Sequence, residues 1–249
     1  LTDLLFPPRC LICERDVEGP FQRPLYCDSC LAAATTPLAA CCFRCGIQLP
    51  YRIQGDRHIP LVTRAQSWSG CPDCRRRKWA FDRTVAVGSY EGRWREHVYQ
   101  LKRPYRSAEA WQAGKLLGER LEQSEWWSDY DYLLPLPIHW RRRFSRGFNQ
   151  AERIAQGVAS TLPLPLAHRV LVAARYARKQ GTLSAAARKA NVQQSMKLGP
   201  GAAAIRGRRV ILVDDVLTTG STADAAARLC RQAGAKRVAV AVVARAGRF

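Results

Sequence analysis

Acidic residues are scarce: 20 Asp and Glu stand against 40 Lys and Arg among 249 residues, a formal net charge of +20. A surplus of that size points to polyanionic partners: nucleic acid, phosphorylated small molecules or acidic membrane. Cysteine is almost missing from the last two thirds, since nine of the ten precede residue 75 and the tenth is Cys230. That distribution argues against a disulfide framework. Tight Cys-x-x-Cys pairs in a chain without a secretion signal read as metal sites in a reducing compartment, so the cytoplasm is expected. No apolar run approaches the ~20 residues of a membrane span, and Leu1–Pro8 is too short and too acidic for a signal peptide. The chain opens on Leu1 and its only methionine is Met196, the pattern expected of a chain that has lost its initiator. Also missing is a Gly-x4-Gly-Lys-Ser/Thr loop. Gly114-Lys115 is followed by Leu116 and has Glu109 where the first glycine belongs, which excludes a Walker-type nucleotide site.

What is present divides in two. Residues 1–80 are loop-rich, broken by Pro, Gly and Cys, and residues 81–249 alternate strand-like and helix-like segments. Strands are expected over Thr84–Tyr90, Tyr132–Pro137, Val170–Ala174, Val210–Asp215 and Arg237–Ala244. Helices are expected at about 92–103 and 108–123, then over Asn149–Ser160 and Ser221–Ala233, the last closed by Gly234. The expected class is α/β: a small N-terminal cysteine module, then a parallel sheet flanked by helices, with ligands outside the carboxyl ends of the strands.

The front module carries four knuckles, Cys10/Cys13, Cys27/Cys30, Cys42/Cys45 and Cys71/Cys74. Tetrahedral Zn²⁺ takes four ligands, so four knuckles make two four-cysteine sites, structural because protein fills every position. Gly46, directly after Cys45, lets the backbone turn under the metal. Pairing in sequence order joins 10/13 to 27/30 and 42/45 to 71/74; a crossed arrangement, or Cys41 in place of Cys42, satisfies the same count. Cys230 reads as a small core residue.

The sharpest motif runs from Val210 to Thr222, an apolar strand ending in Asp214-Asp215 and then a turn with Thr218, Thr219, Gly220, Ser221 and Thr222 opening a helix. Amides of such a turn, with the helix N-terminus behind them, cradle an anion. Helix capping explains the hydroxyls but not the acids. Arg141, Arg142, Arg143 and Arg146 follow another strand end, where they either neutralise a pyrophosphate or form a solvated basic turn with Asn149 as helix cap. Lys102-Arg103 sits at a helix end, suited to anion binding or to the helix dipole. Arg175–Asn191 is a basic, Ala- and Gly-containing loop.

The acid-and-hydroxyl loop resembles the signature of type I phosphoribosyltransferases. With the knuckles, Leu101-Lys102-Arg103, Pro135-Leu136-Pro137, Arg146-Gly147-Phe148-Asn149-Gln150 and Gln180 with Leu183-Ser184 through Arg188 and Asn191, the chain resembles the ComF family of competence and DNA-utilization proteins. The resemblance implies a double zinc ribbon ahead of a domain holding 5-phosphoribosyl-1-pyrophosphate (PRPP) with Mg²⁺. In it Asp214 and Asp215 bind the ribose hydroxyls directly or through Mg²⁺, and residues 218–222 take the 5-phosphate. Pro135 to about Arg143 corresponds to the pyrophosphate loop, with Lys102, Arg142, Arg143 and Arg146 as its cations, and Gln180, Ser184 and Arg188 lie on a mobile loop.

Two functions follow. One is phosphoribosyl transfer from PRPP, for which a donor half of the site is visible and an acceptor half is not. The other is non-catalytic binding of single-stranded nucleic acid, with PRPP or phosphate as regulator. Arg75-Arg76-Arg77-Lys78-Trp79, Trp94-Arg95 and Trp140-Arg141-Arg142-Arg143-Phe144 supply cations and stacking rings for it. The family resemblance adds DNA uptake and partners among the competence machinery.

Overall fold

The computed structural model describes residues 8–17, 25–35, 37–54, 57–60, 71–174 and 195–247. Among them a four-stranded parallel sheet runs in the order β3-β8-β7-β4, built from β3 (Arg83–Ser89), β4 (Tyr132–Pro135), β7 (Arg209–Leu217) and β8 (Arg237–Arg245). β8 inserts between β3 and β7, pairing Val85 with Ala241 on one side and Val213 with Ala241 on the other. Seven of its nine residues are buried, as a β-branched strand covered on both faces requires.

One face is covered by α3 (Gly92–Gln100), α4 (Ser107–Glu122) and α6 (Gln150–Ala159), which bury Trp94, Val98, Leu117, Leu121, Ile154 and Val158. Their apolar residues recur at helical spacing: Ala151, Ile154, Ala155 and Val158 form the inner stripe of α6. The opposite face takes α7 (Ser221–Gln232), whose stripe is Ala223, Ala226, Ala227 and Cys230, packed with Phe81 and Ile205. Cys230 is fully buried there.

The cysteine segment is built twice on one plan. Isolated bridges join Arg9 to Asp16 around the first knuckle and Cys41 to Gln48 around the third. The second and fourth knuckles each start a short helix, α1 (Asp28–Ala34) capped by Cys27 and α2 (Pro72–Arg76) capped by Cys71. A two-stranded antiparallel ribbon, β1 (Tyr51–Gln54) with β2 (Arg57–Pro60), lies between the third and fourth knuckles. Both units lean on β3: Thr35 bridges Gly88, while Thr84 donates to the Arg44 carbonyl at 2.8 Å and Ser89 to Gln48 at 3.0 Å. Tyr26 and Ala34 share a core cluster with Val85, Trp94 and Ala241.

Three elements differ from the sequence expectation. The basic turn after Ile138 is a helix, α5 (Trp140–Arg146), capped by His139, with Gly147 in the left-handed region at its end. The strand expected over Val170–Ala174 is β5 (Leu171–Ala173), which leaves the main sheet and pairs antiparallel with β6 (Met196–Leu198). β7 continues two residues beyond the acid pair to Leu217, because the apolar Val216 and Leu217 extend the ladder beside β8.

Candidate functional site

The cysteines form two tetrads, Cys10, Cys13, Cys27 and Cys30, and Cys42, Cys45, Cys71 and Cys74, with the sulfurs of each within 4.8 Å of one another. The sequential pairing holds. Cys41 stands apart, its thiol donating to the Pro37 carbonyl at 3.4 Å and pushed up to about 11 by burial. Sulfur separations of 3.6 Å (Cys13–Cys27), 3.7 Å (Cys45–Cys71) and 4.0 Å (Cys42–Cys74) are far longer than a disulfide. They bracket the ~3.8 Å edge of a tetrahedron with ~2.3 Å metal–sulfur bonds. Hydrogen bonding favours thiolates in both sets, and in the first it lowers Cys13, chiefly through Arg15, as well as Cys27. Cys27 falls to about 6 chiefly through Ser29, and Cys42 is lowered further by Cys45 and Cys74. The donor set therefore suits zinc in both places, and Gly46 takes the left-handed turn under the second (φ +70°).

At the carboxyl end of the sheet, the pleat of β7 turns consecutive acids to opposite faces. Asp214 lines a hollow with Val216, Thr218, Gly220, Ser221, Thr222 and Val242, beneath the first turn of α7. Burial, then the neighbouring Asp215 charge, holds its carboxyl well above the usual range. Asp215, only 4% exposed, meets Lys102 Nζ at 3.0 Å from the helical face. Each carboxylate also accepts a backbone amide: Asp214 from Asp215 N at 2.9 Å, Asp215 from Val216 N at 2.8 Å.

Gly220 is the N-cap of α7 with φ +77° and offers no side chain to cap it, while the Ser221 amide donates to the Thr219 hydroxyl at 3.4 Å. The first turn of α7 lines the hollow, the place where helix N-terminal amides suit an anion. Thr218, Thr219 and Thr222 are exposed and Ser221 half-buried. The Thr219 and Ser221 hydroxyls lie 3.0 Å apart, at the rim.

The expected pyrophosphate cations divide. Lys102 reaches the acid pair, and Arg146 is half-buried with its charge supported by Asp215, although burial lowers its pKa. Arg146 also donates to Gln150 at 2.8 Å. Arg143 instead faces Glu152 at 3.5 Å, and Arg142 is exposed on α5. Gln180, Ser184 and Arg188 lie outside the described residues.

Trp79, expected as a stacking ring for bases, is packed inward: its ring stacks on Phe81 (centroids 5.1 Å, 23°) and touches the second tetrad's cluster. Trp94, another expected ring, is buried in the core, so of the expected rings those outside are Trp140, 64% exposed, and Phe144, 88% exposed, one turn apart on α5.

Two further residues shape the site: Asn149, expected as a helix cap, and Arg245, which the sequence does not mark. Asn149 caps α6 through Ala151 N at 3.1 Å and also donates to the Leu136 carbonyl at 3.0 Å, fixing the loop after β4. Arg245 donates to the carbonyls of Cys45 (2.8 Å), Leu217 (3.1 Å) and Thr218 (2.8 Å). The Asn within Arg146–Gln150 was a visible capping signal. No local pattern marks Arg245.

A parallel sheet with an acid pair and a hydroxyl loop at its carboxyl end defines a phosphoribosyltransferase-type protein, and the phosphoribosyl transferase domain family matches residues 148–248. The chain is 33% identical to competence protein F of Haemophilus influenzae over 114 residues, 46% of this chain and about half (50%) of that one. It is 28% identical to the DNA utilization protein YhgH of Escherichia coli O6:H1 over 217 residues, 86% of this chain and 87% of that one. Its counterpart in Salmonella typhimurium is 31% identical over 173 residues, 68% of this chain and 75% of that one. The chain belongs to the ComF family of competence and DNA-utilization proteins, with a type I phosphoribosyltransferase fold and N-terminal cysteine tetrads. Among the described residues, no helix is long and apolar enough to cross a membrane.

Proposed function

We propose that this protein binds PRPP with Mg²⁺ at the end of β7 and acts in the cytoplasm in DNA uptake or utilization, its two tetrads each holding a structural Zn²⁺. The observation that carries this reading is the first turn of α7, opened by Gly220, lining the same hollow as Asp214. A 5-phosphate fits the amides and hydroxyls of residues 218–222. The ribose hydroxyls fit the acid pair, and Lys102 with Arg146 supplies positive charge for the pyrophosphate. Mg²⁺ fits the donor set, since a divalent cation would offset the burial and, after it, the Asp215 repulsion that raise the Asp214 carboxyl. Bound there, it would offset charge on pyrophosphate leaving the sugar. The chain's own part is to orient the ribose and fix the phosphate. These residues make a donor half, to which an acceptor would be added if transfer takes place.

Calorimetric titration tests the reading. PRPP with Mg²⁺ is expected to bind with one-to-one stoichiometry. Asp214→Asn/Asp215→Asn should weaken PRPP far more than inorganic phosphate, because only the ribose contacts are lost. Equal weakening of both ligands would remove the carboxylates from the assignment.

A second reading, single-stranded DNA binding, is favoured by α5. Trp140 and Phe144 are exposed on it beside Arg141, Arg142 and Arg143, with the Arg141 guanidinium 5.3 Å from the Trp140 ring centre. Cations on phosphates and rings on bases suit a single strand. Affinity for a labelled oligonucleotide should fall with a log–log salt slope of about −0.7 per phosphate neutralised. Trp140→Ala should weaken binding at physiological salt; binding that vanishes there in the parent protein would refute this second reading.

A further inference from the structure

The second cysteine unit is tied to the phosphate loop at three points, none of which a zinc site or a phosphate site requires alone. Trp79 lies five residues after Cys74, and the chain from α2 carries its ring under Gly220. A Cβ on Gly220 would meet the ring at 2.8–2.9 Å, so the loop backbone rests directly on the indole. The same ring belongs to the cluster of Cys42, Cys45, Cys71 and Cys74. Next, the Arg245 guanidinium spans from the Cys45 carbonyl at 2.8 Å to the carbonyls of Leu217 at 3.1 Å and Thr218 at 2.8 Å. One planar group with fixed donor directions thereby holds a tetrad knuckle and the start of the loop at one spacing. Finally, Ala80 N donates to Asp224 at 2.7 Å, in the first turn of α7, and Asp224 is itself paired with Arg228 at 3.0 Å.

We infer that Trp79 and Arg245 are positioning residues through which metal in the second tetrad sets the shape of the phosphate loop, so that zinc retention at Cys42, Cys45, Cys71 and Cys74 and phosphoryl-ligand affinity are thermodynamically coupled. This rests on the reading of residues 218–222 as the phosphate site. The physical reason is that the loop cannot move independently at either end. Its first carbonyls are held to Cys45 by Arg245, its glycine sits on a ring packed against the tetrad, and the helix behind it is fastened to Ala80. Releasing the metal frees the Cys42–Cys45 and Cys71–Cys74 knuckles. The ring and the guanidinium then lose their fixed bases, and the α7 amides lose their common aim. Linkage makes the effect reciprocal: whatever factor zinc contributes to ligand affinity, ligand contributes to zinc affinity. The first tetrad has no such tie to residues 218–220 among the described contacts, and it serves as the internal control.

The test is zinc release from the full-length, two-zinc protein to a chromogenic chelator, with and without saturating ribose 5-phosphate, beside direct calorimetry of that ligand. Two phases of one equivalent are expected, the slow one from the buried second tetrad. Ribose 5-phosphate should slow that phase about tenfold, within the usual span of coupling between sites, and leave the fast phase unchanged. Trp79→Ala and Arg245→Gln should keep both zinc equivalents yet lose the protection, while Trp79→Phe and Arg245→Lys should restore part of it. If either alanine- or glutamine-type variant fails to hold zinc, the other carries the test, since each severs a different tie. Ligand that binds without slowing either phase, or slows both alike, would overturn the coupling and leave the phosphate site intact. Ribose 5-phosphate that does not bind the parent protein at all would remove the phosphate site, and the coupling with it.

Discussion

The two cysteine units are one design in two settings. Each places a knuckle inside a short bridge and a second knuckle at the start of a helix, yet Cys13 and Cys27 of the first are half-exposed, whereas all four sulfur ligands of the second are buried. The first unit docks through Tyr26, whose hydroxyl lies 2.9 Å from His97 Nε2 on α3, beside the Trp94 ring. The end of α3 leads to Lys102 and thus to Asp215. The second unit docks on the Leu217–Gly220 turn, the proposed phosphate loop, which shares its hollow with Asp214. Identical local grammar therefore supports opposite halves of the proposed site, and what distinguishes the units is their neighbours.

The largest effect that would test this contrast comes from removing one sulfur ligand on each side. Structural zinc contributes on the order of 10 kcal/mol to the folding of its own module. Cys45→Ser should therefore lose one zinc and lower the melting temperature steeply, with loss of phosphate binding. Cys13→Ser should also lose one zinc but retain phosphate binding within a few fold. Equal phosphate losses in the two variants would erase the distinction.

Next in size is the acid pair taken singly. Asp215→Asn leaves Lys102 without its partner in a largely buried setting, a change that costs about 3 kcal/mol where burial is complete and less here. Asp214→Asn removes a carboxylate already resisting ionisation, so unfolding free energy should stay the same or rise. Chemical denaturation of both variants, read beside PRPP affinity, separates structural from binding roles.

The anchor of the first unit predicts a pH dependence. Burial holds His97 down to about 4, against an ordinary value of 6.5. The folded protein keeps it neutral, so its stabilising share is complete above 6.5 and is lost as pH falls towards 4. The loss should reach about 2 kcal/mol by pH 5. Urea unfolding at pH 7 and pH 5 measures it, and His97→Gln should flatten the difference. The smallest expected effect is at Arg143→Ala. Its 3.5 Å contact with Glu152 is exposed on the arginine side and is worth under about 1 kcal/mol.

Much of this was readable beforehand, for reasons that differ from place to place. Knuckle spacing is dictated by metal geometry, so Cys10 to Cys74 gave the tetrads, and burial on both faces made Val210–Val213 and Val238–Val243 continuous apolar runs. The helix at Trp140–Arg146 was hidden because its sequence has no buried stripe; it is closed by Gly147 and exposed along most of its length. β5 is legible as a strand but not as the antiparallel partner of β6, since Val172 and Ala173 carry no mark of which ladder they join. Trp79 shows the deeper limit. An indole among arginines satisfies a nucleic-acid pattern and a packing role equally, and only Gly220, far along the chain, decides between them.

The order of the sheet has a consequence for assembly of the chain. β8 is the last of the four strands in sequence and lies second in space, paired to β3 and β7 at once. Until Arg237–Arg245 arrives, β3 and β7 each present an unpaired parallel edge, and such edges invite mispairing. The closing pairs, Val85 with Ala241 among them, span most of the chain, and contacts so distant form slowly. Completion of the sheet is therefore a late event in which one strand joins β3 to the β7–β4 pair. A released chain truncated just before Arg237 is expected to be protease-sensitive in β3 and β7, and the chain carrying Arg237–Arg245 to be protected there.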